Sequence, residues 1–351
     1  MSTQAHPKPV SQLPHRIAAL LTAIVFPLIW VGGLVTTYDA GMAVPDWPNT
    51  YNYNLFAYPV RDWFFGPWDL FVEHGHRLLG SLAGILAIVL VVVTWIKEPR
   101  RWVRWYAVGL LVLVIGQGIL GGMRVLMDER TLAKIHGCVG PGFFAAAVGF
   151  CVITSRWWRS RETGQIARKN MGSRKIAALI QWPVVMLLLC YLQLAFGALL
   201  RHISITSSPS EYQTLVVVHV VTAVLIVAGT IAQWFMLNNS TYADQPGLAS
   251  SITILCLLVV AQFGLGLGTW VVKYGWPVWF ENIPFAASFV VAEKTFWQMN
   301  IVTAHVATGS LLLAFWMIHS LRFGRVKYTM DEASRIDVDD DTRPNLELVE
   351  A

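Results

Sequence analysis

Charged residues are scarce in this chain of 351 residues: Asp, Glu, Lys and Arg together make up 13% of it. A soluble domain usually has about 25% charged residues, so this scarcity excludes an ordinary soluble fold. Hydrophobic residues instead reach 55%. The net charge of +5 is small and falls in short loops, which argues against nucleic-acid binding. The composition predicts an integral membrane protein, with lipid as its surroundings.

Cysteine is also rare, and its spacing excludes two kinds of site. No Cys-x-x-Cys pair and no Cys-x-x-Cys-His haem-attachment motif occurs. We therefore expect neither a covalently attached haem nor a disulfide in an outer loop. All four cysteines lie inside apolar segments: Cys138, Cys151, Cys190 and Cys256.

The chain does contain eight apolar segments, each with the roughly twenty residues that a helix needs to cross a membrane. They are 17–37, 70–96, 105–126, 132–155, 176–200, 212–237, 252–272 and 300–321. Lys and Arg cluster after the second, fourth and eighth segments. By the positive-inside rule these clusters are cytoplasmic, which places both termini on the cytoplasmic side.

We predict an all-α fold of eight transmembrane helices, arranged as two pseudo-repeated four-helix bundles. Gly32-Gly33 and Gly197 end the first helix of each half at matching places, which favours an internal repeat. The predicted parts are a cytoplasmic tail, a first bundle, a basic cytoplasmic linker, a second bundle and an acidic cytoplasmic tail expected to be disordered. Their bounds are 1–16, 17–155, 156–175, 176–321 and 322–351.

One histidine lies near the outer start of each even-numbered segment: His76, His136, His219 and His305. Each lies about four to seven residues past that start, on the order of 6–10 Å deep. Four residues after each histidine comes a small residue, which would leave room for a flat macrocycle: Gly80, Gly140, Ala223 and Gly309.

These histidines suit haem iron as their metal, with His76 and His136 in one bundle and His219 and His305 in the other. A lone membrane histidine is more often hydrogen-bonded or snorkelling, and small residues also serve helix packing. Four histidines, each followed by a small residue at the same spacing, favour haem binding over helix packing alone. Zinc is less expected, because neither bundle offers further cysteine or carboxylate ligands.

Glu73 lies three residues before His76 on the same helical face, whereas Val216 holds the matching place before His219. Glu73 could be a catalytic acid that moves protons or stabilises charge, or it could only pair with Arg77 one turn later. Arg77 and Arg124 are outer-side cations that suit haem propionates. Arg201 and His202 form either a solvated helix end or a further propionate contact. We expect His74 to be interfacial, and His6, His15 and His319 to be solvated.

The Glu73-x-x-His76-Arg77 motif, the three further histidines and the Gly-Gly-Leu-Val-Thr end of the first helix resemble the haem A synthases of the Cox15/CtaA type. The resemblance spans all eight helices and leaves out only the tails. It departs at the first outer loop, 39–69, which has none of the paired cysteines found in some bacterial members.

The resemblance implies an oxidoreductase that oxidises the C8 methyl of haem O to a formyl group through a hydroxymethyl intermediate. It implies that His76 and His136 hold the haem O substrate beside the catalytic Glu73. It also implies that His219 and His305 hold a permanent haem b cofactor. A haem O synthase and terminal oxidase assembly factors are the expected partners. The expected location is the bacterial cytoplasmic membrane, or else the mitochondrial inner membrane, with both haem sites toward the outer face.

Two other functions stay open. A dihaem b-type cytochrome would pass electrons between a quinol and a partner, and it would have no need of Glu73. A haem-delivery subunit of a terminal oxidase would tolerate loss of Glu73 with little effect on haem A production.

Overall fold

A computed structural model describes residues 10–159, 174–204, 206–240, 242–243 and 246–341. Within those ranges it is helical, with an isolated bridge between Thr50 and Tyr53 in place of any β-strand. Eight helices are long and apolar enough to cross a membrane, as the sequence predicts. They are α1 (Leu13–Thr37), α2 (Trp68–Lys97), α3 (Arg101–Met127), α4 (Arg130–Thr154), α5 (Arg174–Arg201), α6 (Pro209–Asn238), α7 (Pro246–Tyr274) and α8 (Phe296–Asp341).

Local sequence signals set several of the helix ends. The Glu129 carboxylate caps α4 by accepting a hydrogen bond from the Thr131 N–H at 2.9 Å. The Ser208 hydroxyl caps α6 by accepting one from the Glu211 N–H at 3.2 Å. Because Pro99 cannot continue a helix, α2 ends two residues earlier, at Lys97.

The helices pack as two groups of four. In the first group α1 contacts α2 and α4, and α3 contacts the same two helices. In the second group α5 contacts α6 and α8, and α7 likewise contacts these two. The two groups meet where α8 packs against α4 and α1, and where α4 packs against α5. Each helix of one group therefore has the same kind of neighbours as its counterpart four helices later.

Each group has its own apolar core, and each core also includes one alanine from a helix of the other group. The first core includes Leu21, Leu90, Leu110 and Phe150, and the second includes Met186, Ile252 and Trp316. Ala145 of α4 lies in the second core, and Ala314 of α8 lies in the first. These alanines come nine residues after His136 and His305, respectively.

The basic residues gather at one end of the molecule, which we call the basic end. There Arg100, at the start of α3, donates a hydrogen bond to the Ile153 carbonyl near the end of α4, at 3.2 Å. Arg159 joins the same end by pairing with Glu98 at 2.8 Å. The opposite end, the loop end, carries the long connections 38–67 and 275–295.

The structure corrects the predicted acidic tail and describes only part of the predicted tails and linker. The first twenty residues of the predicted disordered tail, 322–341, continue α8 instead. Continuation of the helix buries Phe323 and Val326 in the second core, which explains the extension. Residues 1–9 and 342–351 lie outside the described residues. In the predicted linker, Arg156–Arg159 form a short helix, and 160–173 lie outside the described part.

Candidate functional site

The four histidines meet in two pairs, which are the pairs that the sequence predicts. His76 on α2 faces His136 on α4 with ring centroids 6.3 Å apart and ring planes at 77°. His219 on α6 faces His305 on α8 with centroids 6.4 Å apart and planes at 69°. Each bundle therefore contains one pair, and the two geometries are nearly equal.

This separation fits a metal ion held between two imidazoles. A ligating histidine nitrogen lies about 2.0–2.1 Å from its metal and roughly 1.1 Å from its own ring centroid, so trans ligands have centroids about 6.3 Å apart. The measured 6.3 and 6.4 Å agree with that value. The residues of each pair therefore suit a haem, whose iron two imidazoles at this separation could hold.

A glycine on the preceding helix contacts each imidazole at its Cε1 edge. A Cβ atom added to Gly32 would lie 2.8 Å from Cε1 of His76, and one on Gly121 would lie 3.1 Å from that of His136. In the second bundle, Gly197 and Gly266 face His219 and His305 in the same way, at 3.2 Å. Each ring thus lies against a close backbone, and the approach is tightest at Gly32.

Glutamines lie one turn before three of these glycines. The Gln117 amide donates to the His136 carbonyl at 3.0 Å, and the Gln193 amide does the same to that of His219. Gln262 precedes Gly266, and its amide nitrogen lies 3.1 Å from where a Cβ on Gly309 would be. The fourth position, before Gly32, holds Leu28. The His76 side of the first site therefore lacks the amide found at the other three.

The small residues after the histidines have mixed surroundings. A Cβ on Gly80 would meet no atom within 4 Å, which agrees with the predicted free space. Gly140 and Gly309 instead face the amide nitrogens of Gln117 and Gln262 at 3.1 Å. At these two positions the small residue makes room for a glutamine of the preceding helix, which is the helix-packing role that the sequence left open.

Several buried polar atoms around the two histidine pairs have no hydrogen-bond partner among the described residues. Nδ1 of His76, His219 and His305 is buried without a hydrogen-bond partner in the described structure. Nδ1 of His136 lies 3.2 Å from the Gln117 carbonyl. The side-chain oxygens of Gln117, Gln193 and Gln262 are also buried and unpaired. Such atoms cost free energy in a folded protein and are concentrated at functional sites.

Glu73 is buried and has both of its oxygens occupied. One oxygen accepts a hydrogen bond from Arg77, which lies one helical turn later and forms an ion pair with Glu73 at 2.8 Å. The other accepts the Val44 N–H at 2.9 Å. Glu73 thus pairs with Arg77, as one interpretation of the sequence expects, and it is buried on the helix that carries His76. Its catalytic role stays a prediction.

The first outer loop folds over the loop end of the first bundle. Arg77 donates to the carbonyls of Val44, Asp46 and Asn49 at 2.6–2.8 Å. Arg124 donates to the Gly41 carbonyl at 2.9 Å. Nη1 of Arg77 thus binds the loop, and Nη2 binds both the loop and Glu73. Arg77 therefore anchors the loop to α2.

The other predicted propionate contacts lie at the same end. Arg124 is within electrostatic range of both His76 and His136. Arg201 donates to the Gly33 carbonyl at 2.7 Å and to the Thr37 hydroxyl at 2.6 Å, which links α5 to α1. Burial, and then the nearby Arg201 and Arg124 cations, lower the pKa of His202 to about 4. His202 is consequently neutral near pH 7.

Two histidines that the sequence predicts at polar surfaces are buried instead. His74 is 2% exposed; its Nδ1 lies 3.0 Å from the Thr50 hydroxyl, under the first outer loop. His319 is fully buried between Ser251 and Gln233, at 2.6 and 3.2 Å. Polar partners from neighbouring elements compensate for burial, and a single sequence pattern does not reveal them. His15 is half-buried against the Cys151 carbonyl, and His6 lies outside the described residues.

The glycines and glutamines around the rings were absent from the predicted site. A signal for them does exist in the sequence. Gln-x-x-x-Gly occurs on α3, α5 and α7, at Gln117, Gln193 and Gln262, and α1 carries Leu28-x-x-x-Gly32. Every odd-numbered helix thus has the motif or its variant, in register with the histidine of the next helix.

The fold and the site define an eight-helix membrane protein with one histidine pair in each four-helix group. Residues 67–207 match the COX15-CtaA family model, described as cytochrome oxidase assembly protein. The matched segment contains Glu73, His76 and His136, and the second pair lies beyond it. Over this segment the chain is similar to the COX15-CtaA family.

Relatives with the name heme A synthase give the same grouping. One, from Symbiobacterium thermophilum, is 26% identical over 187 residues, which cover 52% of this chain and 57% of the relative. Others, from Listeria monocytogenes and Listeria innocua, are 28% identical over 141 residues, covering 39% of this chain and 43% of each relative. The chain thus spans about half the length of the curated relatives it matches.

Proposed function

We propose that this protein is a haem A synthase, which oxidises the C8 methyl of haem O to a formyl group through a hydroxymethyl intermediate. The observation that carries the proposal is an asymmetry between two otherwise equal sites. Both bundles have a histidine pair with centroids 6.3–6.4 Å apart, but only the first has a buried carboxylate, Glu73, three residues before a histidine. Relatives named heme A synthase support the same function.

In this proposal the first bundle binds the haem O substrate through His76 and His136. The second bundle holds haem b through His219 and His305, and that cofactor supplies one-electron transfer when bound. The two bundles would form an internal repeat. Two observations support it: equivalent helices have equivalent neighbours, and Ala145 and Ala314 each pack in the core of the other bundle.

The first outer loop would close the substrate site. Glu73, Arg77 and Arg124 tie the loop to α2 and α3, and the tethered loop would shield the first histidine pair from water. Glu73 is the proposed catalytic residue, and it would exchange a proton or stabilise charge at the reacting methyl group. It would do so while it accepts hydrogen bonds from Arg77 and from the Val44 N–H.

We further propose that the basic end faces the cytoplasm of a bacterium, by the positive-inside rule. Both termini then lie inside, and both haem sites lie toward the outer face. Arg124, Arg201 and His202 would contact propionates, with His202 acting as a neutral hydrogen-bond donor. A haem O synthase would supply the substrate, and terminal oxidase assembly factors would receive the product.

A dihaem b-type cytochrome is the second candidate, and two observations favour it. The histidine pairs have nearly equal geometry, as two permanent haems would require. Both oxygens of Glu73 are also engaged by Arg77 and Val44, which is what a purely structural carboxylate would show.

Haem extraction and chromatography would distinguish the two functions. Wild type, Glu73→Gln and Glu73→Ala are purified after expression with a haem O source, with exposed Glu211→Gln as the matched control. The synthase proposal expects haem A and haem b in wild type and in the control. It expects haem O or the hydroxymethyl intermediate in both Glu73 variants. Two haem b per chain and no haem A in any protein would support the cytochrome instead.

A further inference from the structure

A cavity of about 680 Å³ opens at the basic end, far from both histidine pairs. Four parts of the chain form its wall: the segment before α1, the connection between α2 and α3, the short helix after α4, and α8. Its polar lining consists of Glu98, Arg100, Arg159 and Arg325. Among the described residues of its wall, three guanidinium groups stand beside one carboxylate.

The Glu98 carboxylate is buried, whereas the guanidinium groups of Arg100 and Arg159 are partly exposed. The Glu98 side chain is fully buried beneath Arg100 and Arg159, which it binds at 2.8 Å, whereas those two side chains keep 26% and 17% of their surface exposed. Nε of Arg159 is buried without a hydrogen-bond partner in the described structure. A ligand entering the cavity would thus meet the exposed parts of the Arg100 and Arg159 guanidinium groups.

Aromatic rings hold the cations in place and line the mouth. Arg100 lies 5.5 Å from the centroid of the Trp102 ring, and Arg325 lies 5.8 Å from Trp158 and 5.7 Å from Tyr328. Trp102 and Tyr328 are 50% and 60% exposed. Arginine and aromatic side chains together at the end of membrane helices are typical of the membrane interface.

The surface beside the cavity continues onto the membrane-facing side of α2 and α3. Ile96 and Trp105 are 69% and 65% exposed there. A soluble anion would make no use of that apolar surface, whereas a lipid could place its headgroup in the cavity and its acyl chains along the helices. Basic pockets at the ends of membrane helices are known to bind anionic headgroups.

We propose that this cavity binds the phosphate headgroup of an anionic phospholipid. Arg159 and Arg325 would hold the phosphate, and Trp102 would cover the glycerol region at the interface. The bound lipid would join the segment before α1, α3 and α8, and so would stabilise the basic end. The proposal does not depend on either bundle binding haem.

The test uses the full chain in detergent, with lipid binding counted by native mass spectrometry and stability followed by thermal unfolding. The probes are phosphatidylglycerol, phosphatidylcholine and inorganic phosphate. The variants are Arg325→Gln and Trp102→Ala, both outside the Glu98 ion pairs, and exposed Arg130→Gln at the loop end is the control.

Phosphatidylglycerol should bind and raise the unfolding temperature of wild type and of Arg130→Gln, and phosphatidylcholine should do neither. Arg325→Gln should bind phosphatidylglycerol about fivefold more weakly, as expected for one lost cation near an anionic lipid. Trp102→Ala should also weaken binding. Equal effects of phosphatidylcholine, full competition by inorganic phosphate, or an equal loss in Arg130→Gln would each overturn the proposal.

Discussion

Glu73 and Arg77 lie one turn apart on α2 and form a buried ion pair at 2.8 Å, with side chains only 4% and 10% exposed. Arg77 also binds three backbone carbonyls of the first outer loop, and Glu73 binds the Val44 N–H of the same loop. The pair is therefore a joint between the loop and the helix that carries His76. Any catalytic role of Glu73 has to operate together with this structural one.

Glu73→Gln should loosen the loop, because it leaves the Arg77 cation buried without its counter-ion. Removal of one partner from a buried pair costs about 3–5 kcal/mol. Arg61 is the one trypsin site between 38 and 67. Limited proteolysis should therefore cut after Arg61 faster in Glu73→Gln than in wild type, whereas exposed Glu211→Gln should match wild type. Equal cleavage rates in all three proteins would contradict the anchoring role.

The glycines that face the imidazoles give a second prediction, which depends on the proposed haem sites. An alanine Cβ at 197 would lie 3.2 Å from Cε1 of His219, so the ring has to shift. Gly197→Ala should weaken haem b binding about tenfold, the usual effect of disturbing the residues that orient a ligand. Haem per chain from the pyridine haemochrome spectrum is the measurement. Gly84→Ala, with no atom within 4 Å of the added methyl group, should retain full haem content.

The sequence predicted the eight apolar helices and which histidines lie face to face. The length of an apolar segment and the position of a histidine within it are local properties of the chain, so one sequence is enough to recognise them. It did not predict His319 or His74 as buried, because Ser251, Gln233 and Thr50 come from distant positions in the chain. It also assigned Arg77 to propionates, whereas the structure places loop carbonyls around that side chain.

Acid should weaken the basic end through Glu98. Burial acts to raise the pKa of Glu98, but hydrogen bonds and charge from Arg100 and Arg159 outweigh it, so the pKa lies below its ordinary 4.5. A carboxyl group with a lowered pKa contributes stability above 4.5 and loses that contribution as the pH falls through its folded value. The unfolding temperature of wild type should therefore fall more steeply below pH 4.5 than that of Glu98→Gln. Parallel curves for the two proteins would show that the ion pairs contribute nothing.

His319 ties three helices together in the half of the second bundle nearer the basic end. The Gln233 amide of α6 donates to its Nε2 at 3.2 Å, which leaves Nδ1–H to donate to the Ser251 hydroxyl of α7 at 2.6 Å. Phe150 holds the corresponding place in the first bundle, fourteen residues after His136, as His319 follows His305. An apolar side chain of similar size therefore fits this position in a bundle of the same packing.

His319→Phe should lower the free energy of unfolding by about 2–4 kcal/mol, because it leaves the Gln233 amide buried and unpaired. The triple variant Gln233→Leu, Ser251→Ala, His319→Phe should recover at least half of that loss, since it removes the stranded partners together. Haem content per folded chain should stay at the wild-type level in both variants, because the cluster lies four helical turns from His305. A loss of haem in His319→Phe that the triple variant does not restore would instead assign His319 to the haem site.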